Sequence, residues 1–299
     1  MVNLEFNYLP CLLDKVCIKS SEFFFIIIKL MENKFKLIVA DIDGTITKSD
    51  RTTSKRNIDA IEKLRDAGYI FGLASGRPID DVSNKYKLWN MRNQFDFIIG
   101  WNGCQLYDDK ENKLYEYNLM SEKDLKETIE FMDEFDCTIN MYSPRIYLSS
   151  KETDRAWYSA FKNKREFVVD GNKERYYEKP NGGIMFRTSP NNIPIIEEKL
   201  KTLKDKNYVG FKTQPDLIEF CHKDCNKGYA LRKYCEIYGI SLQDCMAFGD
   251  TSNDNEMLKI CYGICMKNGS LDTKSCAKII TEVECDEDGF SEFVEKHIL

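Results

Sequence analysis

Two aspartates separated by one residue are the first candidates for chemistry, because they directly follow a short apolar run. Residues 37–40 (Leu-Ile-Val-Ala) precede the segment 41–45 (Asp-Ile-Asp-Gly-Thr). Two carboxylates this close repel each other unless a cation or a shared proton relieves the repulsion. Oxygen ligands of this kind suit Mg²⁺, and Gly44 permits a bend that turns backbone amides towards an anion. By itself, however, an Asp-x-Asp pair is more commonly a capped strand end with two solvated acids.

Three further polar segments lie at comparable positions. Ser75-Gly76-Arg77 follows an apolar run, Lys227-Gly228 opens a predicted helix, and the segment 249–254 (Gly-Asp-Thr-Ser-Asn-Asp) follows the apolar residues 246–248. Taken singly, they are explained by a turn, a surface lysine and a helix cap. Ligands bind beyond the carboxyl ends of the strands in open parallel sheets, and a helix N-terminus favours anions. Together, the four segments favour a site for phosphate and a metal ion.

The elements that must position these residues alternate between strand and helix. We predict strands over 37–40, 69–74, 97–99, 245–248, 262–266 and 278–281, and helices over 54–67, 228–238 and 254–260. Ser54 is the expected cap of the first helix, and Gly68 is expected to end it. This alternation predicts an α/β fold with a doubly wound, mostly parallel, Rossmann-like core.

The middle of the chain has a different pattern. Residues 108–222 contain predicted helices over 121–135 and 193–204, and polar-apolar alternation over 138–142, 183–187, 208–212 and 217–220. This pattern predicts an inserted α+β domain with an antiparallel sheet. The expected domains are therefore a core over 34–107 and 223–299, an insert over 108–222, and an N-terminal extension over 1–33. We expect this extension to be disordered or an artefact of the gene model.

Composition limits the function further. The chain has 299 residues and a net charge of −6, with no basic patch interleaved with aromatics, so we expect no nucleic-acid partner. The apolar run 23–28 is too short to span a membrane. The twelve scattered cysteines are interpreted as reduced core thiols of a cytoplasmic protein. Cys221, His222 and Cys225 have no fourth ligand spaced to complete a zinc site.

The four segments, in their order along the chain, resemble the signature motifs of the haloacid dehalogenase superfamily. They are Asp-Ile-Asp-Gly-Thr at 41–45, Ser-Gly-Arg at 75–77, Asn-Lys-Gly at 226–228 and Gly-Asp-x-x-Asn-Asp at 249–254. The large insert between the second and third motifs resembles the cap of the Cof-type phosphatases, a C2B-type α+β domain. Asn102-Gly103 before the insert is a further similarity. The resemblance covers essentially residues 34–299.

This resemblance implies a mechanism and a role for each motif residue. Asp41 would be the nucleophile that forms an aspartyl-phosphate, and Asp43 would be the general acid and base, with a raised pKa. Mg²⁺ would be held by the Asp41 carboxylate, the Asp43 backbone carbonyl and Asp250. The phosphate would be bound by Ser75, Lys227, Asn253 and the amides of Ile42 and Gly76. Thr45 and Asp254 would not contact the ligand directly but would orient the groups that do.

The expected activity is hydrolysis of a small phosphorylated metabolite such as a sugar phosphate, by a monomer or a small homo-oligomer. A phosphohexomutase of the same superfamily is an alternative, and a non-catalytic phosphate-binding regulator is another. The insert has 19 Lys/Arg and 20 Asp/Glu over residues 110–222, a balance that favours no polyanion. The aromatic residues Trp157, Tyr158, Tyr176 and Tyr177 could stack on a sugar ring or a base, although packing is their commoner role.

Overall fold

A computed structural model describes residues 35–299, so the predicted N-terminal extension over 1–33 lies outside the described residues. The strands are β1 (Leu37–Asp41), β2 (Ile70–Ala74), β3 (Phe97–Gly100), β4 (Gln105–Asp108), β5 (Lys113–Glu116), β6 (Thr138–Ser143), β7 (Ile146–Ser149), β8 (Glu166–Val169), β9 (Ile184–Arg187), β10 (Tyr208–Gln214), β11 (Leu217–His222), β12 (Cys245–Gly249), β13 (Tyr262–Cys265) and β14 (Ile279–Ile280). The helices are α1 (Lys55–Asp66), α2 (Ile79–Val82), α3 (Lys85–Leu88), α4 (Glu122–Met132), α5 (Asp154–Lys162), α6 (Ile193–Leu200), α7 (Lys227–Tyr238), α8 (Asn255–Ile260), α9 (Leu271–Cys276) and α10 (Gly289–His297).

The first sheet has eight strands in the order β14-β13-β12-β1-β2-β3-β4-β5. Its strands are parallel from β14 to β3, and the hairpin β4–β5 adds two antiparallel strands at one edge. Strand β1 lies at the centre, between β12 and β2, so its carboxyl end faces the loops that follow both neighbours. The predicted α/β fold class is confirmed.

Both faces of this sheet are covered, which explains why β1 is apolar at consecutive positions. On one face, Ile38 and Ala40 pack with α1 and with Phe290 and Val294 of α10. On the other face, Leu37 and Val39 pack in a cluster formed with α7 and α8. All five residues of β1 are buried. The strand therefore holds Asp41 at a fixed position at its end.

The second sheet belongs to the insert and has six strands in the order β10-β11-β9-β6-β7-β8. All its neighbours are antiparallel except β7 and β8. Residues of α4 and α6, among them Leu125, Ile129 and Ile196, form a separate core with Phe186 and Phe220 of the sheet. The insert therefore has its own hydrophobic core, as an α+β unit requires.

The boundary of the insert differs from the sequence-based expectation. Residues 108–116 were expected in the insert, but β5 pairs with β4 in the first sheet. The alternation in 113–116 does not reveal which sheet a strand joins, because the pairing partner is not encoded locally. We propose that the insert begins near residue 117.

Local signals predicted helix ends well. The Ser54 hydroxyl accepts a hydrogen bond from the Asn57 amide, so the predicted cap of α1 is confirmed. Gly68, with φ of +91°, follows the end of α1. The helices α3, α5, α9 and α10 and the strands β4, β5, β7 and β8 were not predicted.

The interpretation of all cysteines as reduced thiols is wrong for one pair. Cys104, just before β4, forms a disulfide with Cys225, which lies just before α7, and the two Cα atoms are 5.7 Å apart. The two residues are 121 positions apart in the chain, so spacing alone gave no indication of this pairing. Among residues 35–299, no helix has the length and apolar character needed to cross a membrane.

Candidate active site

Asp41 begins the candidate site at the carboxyl end of β1. Its side chain is buried, and the chain turns sharply after it because the Ile42 carbonyl accepts hydrogen bonds from the amides of Ile46 and Thr47. Gly44 has φ of +86°, and a Cβ atom there would lie 2.4 Å from Asp250 Oδ2. A residue other than glycine would therefore strain the loop and collide with Asp250.

Lys227, the first residue of α7, is fully buried and joins two of the predicted site residues. Its Nζ lies 2.5 Å from Asp41 Oδ1 and 2.6 Å from Asp254 Oδ1. Burial lowers the pKa of Lys227, but the carboxylates of Asp254 and Asp41 outweigh that effect and hold the pKa above its usual range. The lysine therefore stays charged. Asn226 caps its helix by accepting a hydrogen bond from the Tyr229 amide.

Both carboxylate oxygens of Asp254 accept hydrogen bonds from groups of the protein itself. Its Oδ2 accepts hydrogen bonds from the amides of Asp250 and Thr251, and its Oδ1 accepts one from Lys227. The side chain is fully buried. Asp254 therefore fixes both the loop after β12 and the position of the lysine.

Asp250 differs from Asp254, because one of its carboxylate oxygens accepts no hydrogen bond from the described residues. Its Oδ1 is buried and has no hydrogen-bond partner among residues 35–299. Burial, followed by the neighbouring charge of Asp254, raises the pKa of Asp250 to about 7. Burial also raises the pKa of Asp41, against the opposing effect of Lys227. An ionised Asp250 thus lacks a positive partner, whereas Asp41 shares the single ammonium of Lys227 with Asp254.

These residues form an acidic group that fits a divalent cation. Oxygens of Asp41, Asp250 and Asp254 all lie within 4.8 Å of one another. When ionised, the three carboxylates and the single ammonium of Lys227 leave two negative charges uncompensated. Hard cations such as Mg²⁺ are bound by oxygen ligands of this kind, and the open Asp250 oxygen is available for one. The residues therefore fit a metal site.

Asp43 lies apart from this group. Its carboxylate is 44% exposed and forms a two-point ion pair with Arg77, which follows Ser75 and Gly76 after β2. No role was predicted for Arg77, although it belongs to the Ser-Gly-Arg motif. No local signal identifies this contact, since the two residues are 34 positions apart.

The remaining predicted phosphate-binding residues are connected through Asn102. Ser75 is buried at the end of β2, and its carbonyl accepts a hydrogen bond from the Asn102 amide. Asn253 donates a hydrogen bond to Asn102 Oδ1 at 3.1 Å, and a Cβ atom on Gly76 would lie 3.1 Å from that same oxygen. Asn102 has φ of +53°, a conformation that asparagine tolerates better than most residues.

Two further residues support the loop that contains Asp41. Asn268 donates a hydrogen bond to the Gly44 carbonyl and accepts one from the Cys285 amide, which ties the loop to the chain terminus. Thr45 is fully buried, and its Oγ1 has no hydrogen-bond partner within the described part of the chain. Asn268 was not predicted as a site residue, because Gly44, which it contacts, is 224 positions away in the chain.

An open groove of about 560 Å³ lies between this site and the insert. Arg77, Asn102 and Asn253 line it from the core, and Glu219 and Arg187 line it from the insert. Burial raises the pKa of Glu219, and Thr213 donates a hydrogen bond to its carboxylate. The groove can therefore hold a small molecule between polar groups of both sheets.

Comparison with known proteins agrees with this geometry. The family model described as haloacid dehalogenase-like hydrolase matches residues 38–294. The chain belongs to this family. More particularly, it is a phosphatase, and neither of its two histidines belongs to the acidic group described above.

Individual relatives cover nearly the whole described chain. The 5-amino-6-(5-phospho-D-ribitylamino)uracil phosphatase YitU of Bacillus subtilis is 24% identical over 271 residues, covering 89% of this chain and 99% of YitU. The structure of a haloacid dehalogenase-like hydrolase from Bacteroides thetaiotaomicron has a TM-score of 0.78 and 25% identity, covering 88% of this chain and 99% of that one. The subclass IIB sugar phosphatase BT4131 shares the fold, with a TM-score of 0.73 and 21% identity, covering 87% and 98% of the two chains.

Proposed function

We propose that the protein is a Mg²⁺-dependent phosphatase that hydrolyses small phosphorylated metabolites, such as sugar phosphates, through a phosphoryl group carried on Asp41. The observation that supports this most directly is the buried group of Asp41, Lys227 and Asp254 beside the open oxygen of Asp250. The substrate class rests on the relatives, among which YitU is named for a phosphorylated ribityl compound.

In the first half of the reaction, an Asp41 carboxylate oxygen attacks phosphorus. A bond forms between phosphorus and Asp41, the bond to the ester oxygen breaks, and Asp43 donates a proton to the leaving alcohol. Lys227, Ser75, Asn253 and the amides of Ile42 and Gly76 would hold the phosphoryl oxygens.

In the second half, water releases the phosphoryl group from Asp41. Asp43 accepts a proton from the water, whose oxygen bonds to phosphorus while the bond to Asp41 breaks. Mg²⁺ held by Asp41, Asp250 and the Asp43 carbonyl would offset the negative charge of the phosphoryl oxygens. The insert would act as a cap that closes over the leaving group and keeps bulk water away from Asp41.

Release of inorganic phosphate by the Asp41→Asn variant tests this proposal. The change keeps the shape of the side chain but removes the nucleophilic carboxylate, so we expect activity to fall by at least about 10⁴-fold. Asp59→Asn, an exposed substitution on α1, is the matched control and should retain full activity. Activity of Asp41→Asn equal to that of the parent would refute the assigned nucleophile.

A second assay separates hydrolysis from phosphoryl return to a sugar. The protein is incubated with a hexose 1-phosphate and its bisphosphate activator, and products are resolved by chromatography. Free phosphate supports the phosphatase, whereas an isomerised sugar phosphate without free phosphate would indicate a mutase.

A further inference from the structure

A second groove lies beside the one just described. It has a volume of about 830 Å³ and runs between the core segment 77–88, which includes α2 and α3, and the insert segment 145–166. Arg77 lines both grooves, so the two adjoin at this residue. A molecule bound in the second groove therefore lies next to the phosphate site without occupying it.

This groove is strongly basic, although the chain as a whole has a net charge of −6. Seven Lys or Arg side chains line it, against three Asp or Glu side chains. Five of the cations form no ion pair with any residue in 35–299, namely Lys85, Lys87, Arg145, Lys162 and Lys164. They come from both walls, so their charges converge on the space between the core and the insert.

The acidic residues of the groove do not neutralise these cations. Asp81 is engaged by Arg165 at 2.9 Å, and Asp80 lies 4.0 Å from the same guanidinium. The Arg165 side chain is only 2% exposed, so this pair is fixed in the groove wall. Glu166 is the one lining carboxylate that makes no ion pair with the described residues. An excess of positive charge therefore remains.

The pKa of Lys85 reflects the uncompensated positive charge of this groove. The side chain is half-buried, and burial, followed by repulsion from Arg77, lowers the pKa of its ammonium. Its ammonium lies 6.0 Å from the centroid of the Trp89 ring. A bound anion would remove the penalty by supplying the missing opposite charge.

We propose that this groove binds the phosphate or polyphosphate group of a small molecule, separate from the phosphoryl group that Asp41 attacks. Such a ligand would contact lysines of the core and of the insert at once, and so would hold the two together. An extended nucleic acid fits less well, because beyond the groove it would meet an acidic protein. The group could be the second phosphate of a bisphosphorylated substrate or belong to a free anionic effector.

Calorimetric titration with inorganic pyrophosphate tests the site directly. The titration uses Asp41→Asn protein without divalent metal, so no turnover is needed, and failure of the proposed catalytic mechanism would not affect it. In this background, Lys85→Gln with Lys162→Gln removes one cation from each wall. We expect the Kd for pyrophosphate to rise at least about tenfold, because each charge-assisted contact contributes on that order.

Lys123→Gln with Lys126→Gln is the matched control. It changes the net charge by the same amount on α4, outside the groove, and should leave the Kd within about twofold. The proposal is overturned if pyrophosphate does not bind the Asp41→Asn protein, or if the groove and control variants affect the Kd equally. A single-stranded RNA that binds more tightly than pyrophosphate through the same two lysines would also overturn it.

A kinetic comparison identifies the source of the anion, and this part of the test rests on the proposed phosphatase function. The groove variant, with Asp41 intact, is assayed on fructose 1,6-bisphosphate and on fructose 6-phosphate. A loss of kcat/KM that is about tenfold larger for the bisphosphate assigns the groove to the second phosphate of a substrate. Equal losses of kcat/KM for the bisphosphate and the monophosphate, together with lost pyrophosphate binding, assign the groove to a free effector.

Discussion

Arg77 contacts Asp43 through two nitrogens, with Nε 2.9 Å from Oδ2 and Nη2 2.9 Å from Oδ1. The carboxylate proposed to exchange protons with substrate is therefore occupied by a guanidinium in this structure. Both side chains are partly exposed, so separating them costs at most about 1 kcal/mol. Asp43 can thus leave the pair when a substrate or an anion contacts Arg77.

Replacing Asp43 by asparagine should slow hydrolysis most for substrates whose leaving group must be protonated. For an alkyl phosphate we expect kcat to fall about 10²- to 10³-fold, because the leaving alkoxide is a strong base. For p-nitrophenyl phosphate, whose leaving group is stable without a proton, the loss in the first half-reaction should be smaller. Pre-steady-state bursts of nitrophenolate measure this step. Equal losses of the first step on both substrates would contradict the role of Asp43 as proton donor.

Removing the Lys227 ammonium should destabilise the protein as well as inactivate it. Lys227→Met leaves the carboxylates of Asp41 and Asp254 buried without their cation. We expect the free energy of unfolding to fall by about 3–5 kcal/mol, measured by urea denaturation. Lys233→Met, on the outer side of the same helix, is the control and should cost less than about 1 kcal/mol. A stable, folded Lys227→Met protein would show that the buried pair is not needed for folding.

Without metal, the stability of the protein should decrease as pH rises towards neutrality. Asp250 has a pKa of about 7 in the folded protein, raised by burial, against about 3.9 in an unfolded chain. Between these values the folded state binds more protons than the unfolded state, so the free energy of unfolding falls by up to about 1.4 kcal/mol per pH unit. Mg²⁺ competes with that proton, so we expect it to raise the Tm more at pH 8 than at pH 6.

Thermal unfolding with and without MgCl₂ at the two pH values measures this effect. In Asp250→Asn the difference between pH 8 and pH 6 should be much smaller, since the titrating group is gone. Asp244→Asn, at a partly exposed position at the other end of β12, should behave like the parent. A Mg²⁺ effect independent of pH would mean that Asp250 is not the group with which the metal competes.

Oxidation state should change the stability of the protein through Cys104 and Cys225. The disulfide closes a loop of 121 residues, and cross-links of this length stabilise the folded state by about 4 kcal/mol. Dithiothreitol should therefore lower the urea midpoint of the parent but not that of Cys104→Ser. Cys137→Ser, a free cysteine of the insert, should keep the sensitivity. Failure to find the Cys104–Cys225 peptide by non-reducing mass spectrometry would contradict the pairing.

The sequence predicted those features that depend on neighbouring residues. Asp41, Lys227 and Asp250 were located because each motif lies beside a strand end or a helix start, where short-range patterns are informative. The central parallel strands were predicted for the same reason. Local sequence thus predicted the edge of the sheet at which these residues lie together.

Features that depend on contacts between distant segments were not predicted. The pairing of Arg77 with Asp43, the contact of Asn268 with Gly44 and the disulfide all join residues far apart in the chain. The basic groove is a further example, since the near-zero charge of the insert favoured no polyanion. Its cations come partly from the core and partly from the insert, and only folding brings them together.

The two ends of the insert lie close together, and Asn118 donates a hydrogen bond to the Asp224 carbonyl at 3.0 Å. The chain therefore leaves the core and returns to it across a gap that one hydrogen bond can span. A segment whose ends lie this close can be replaced by a related one, provided that the replacement also keeps the contact of Arg165 with Asp81. Chimaeras that carry the insert of a relative between these positions should retain the phosphate chemistry of the core and acquire the selectivity of the donor.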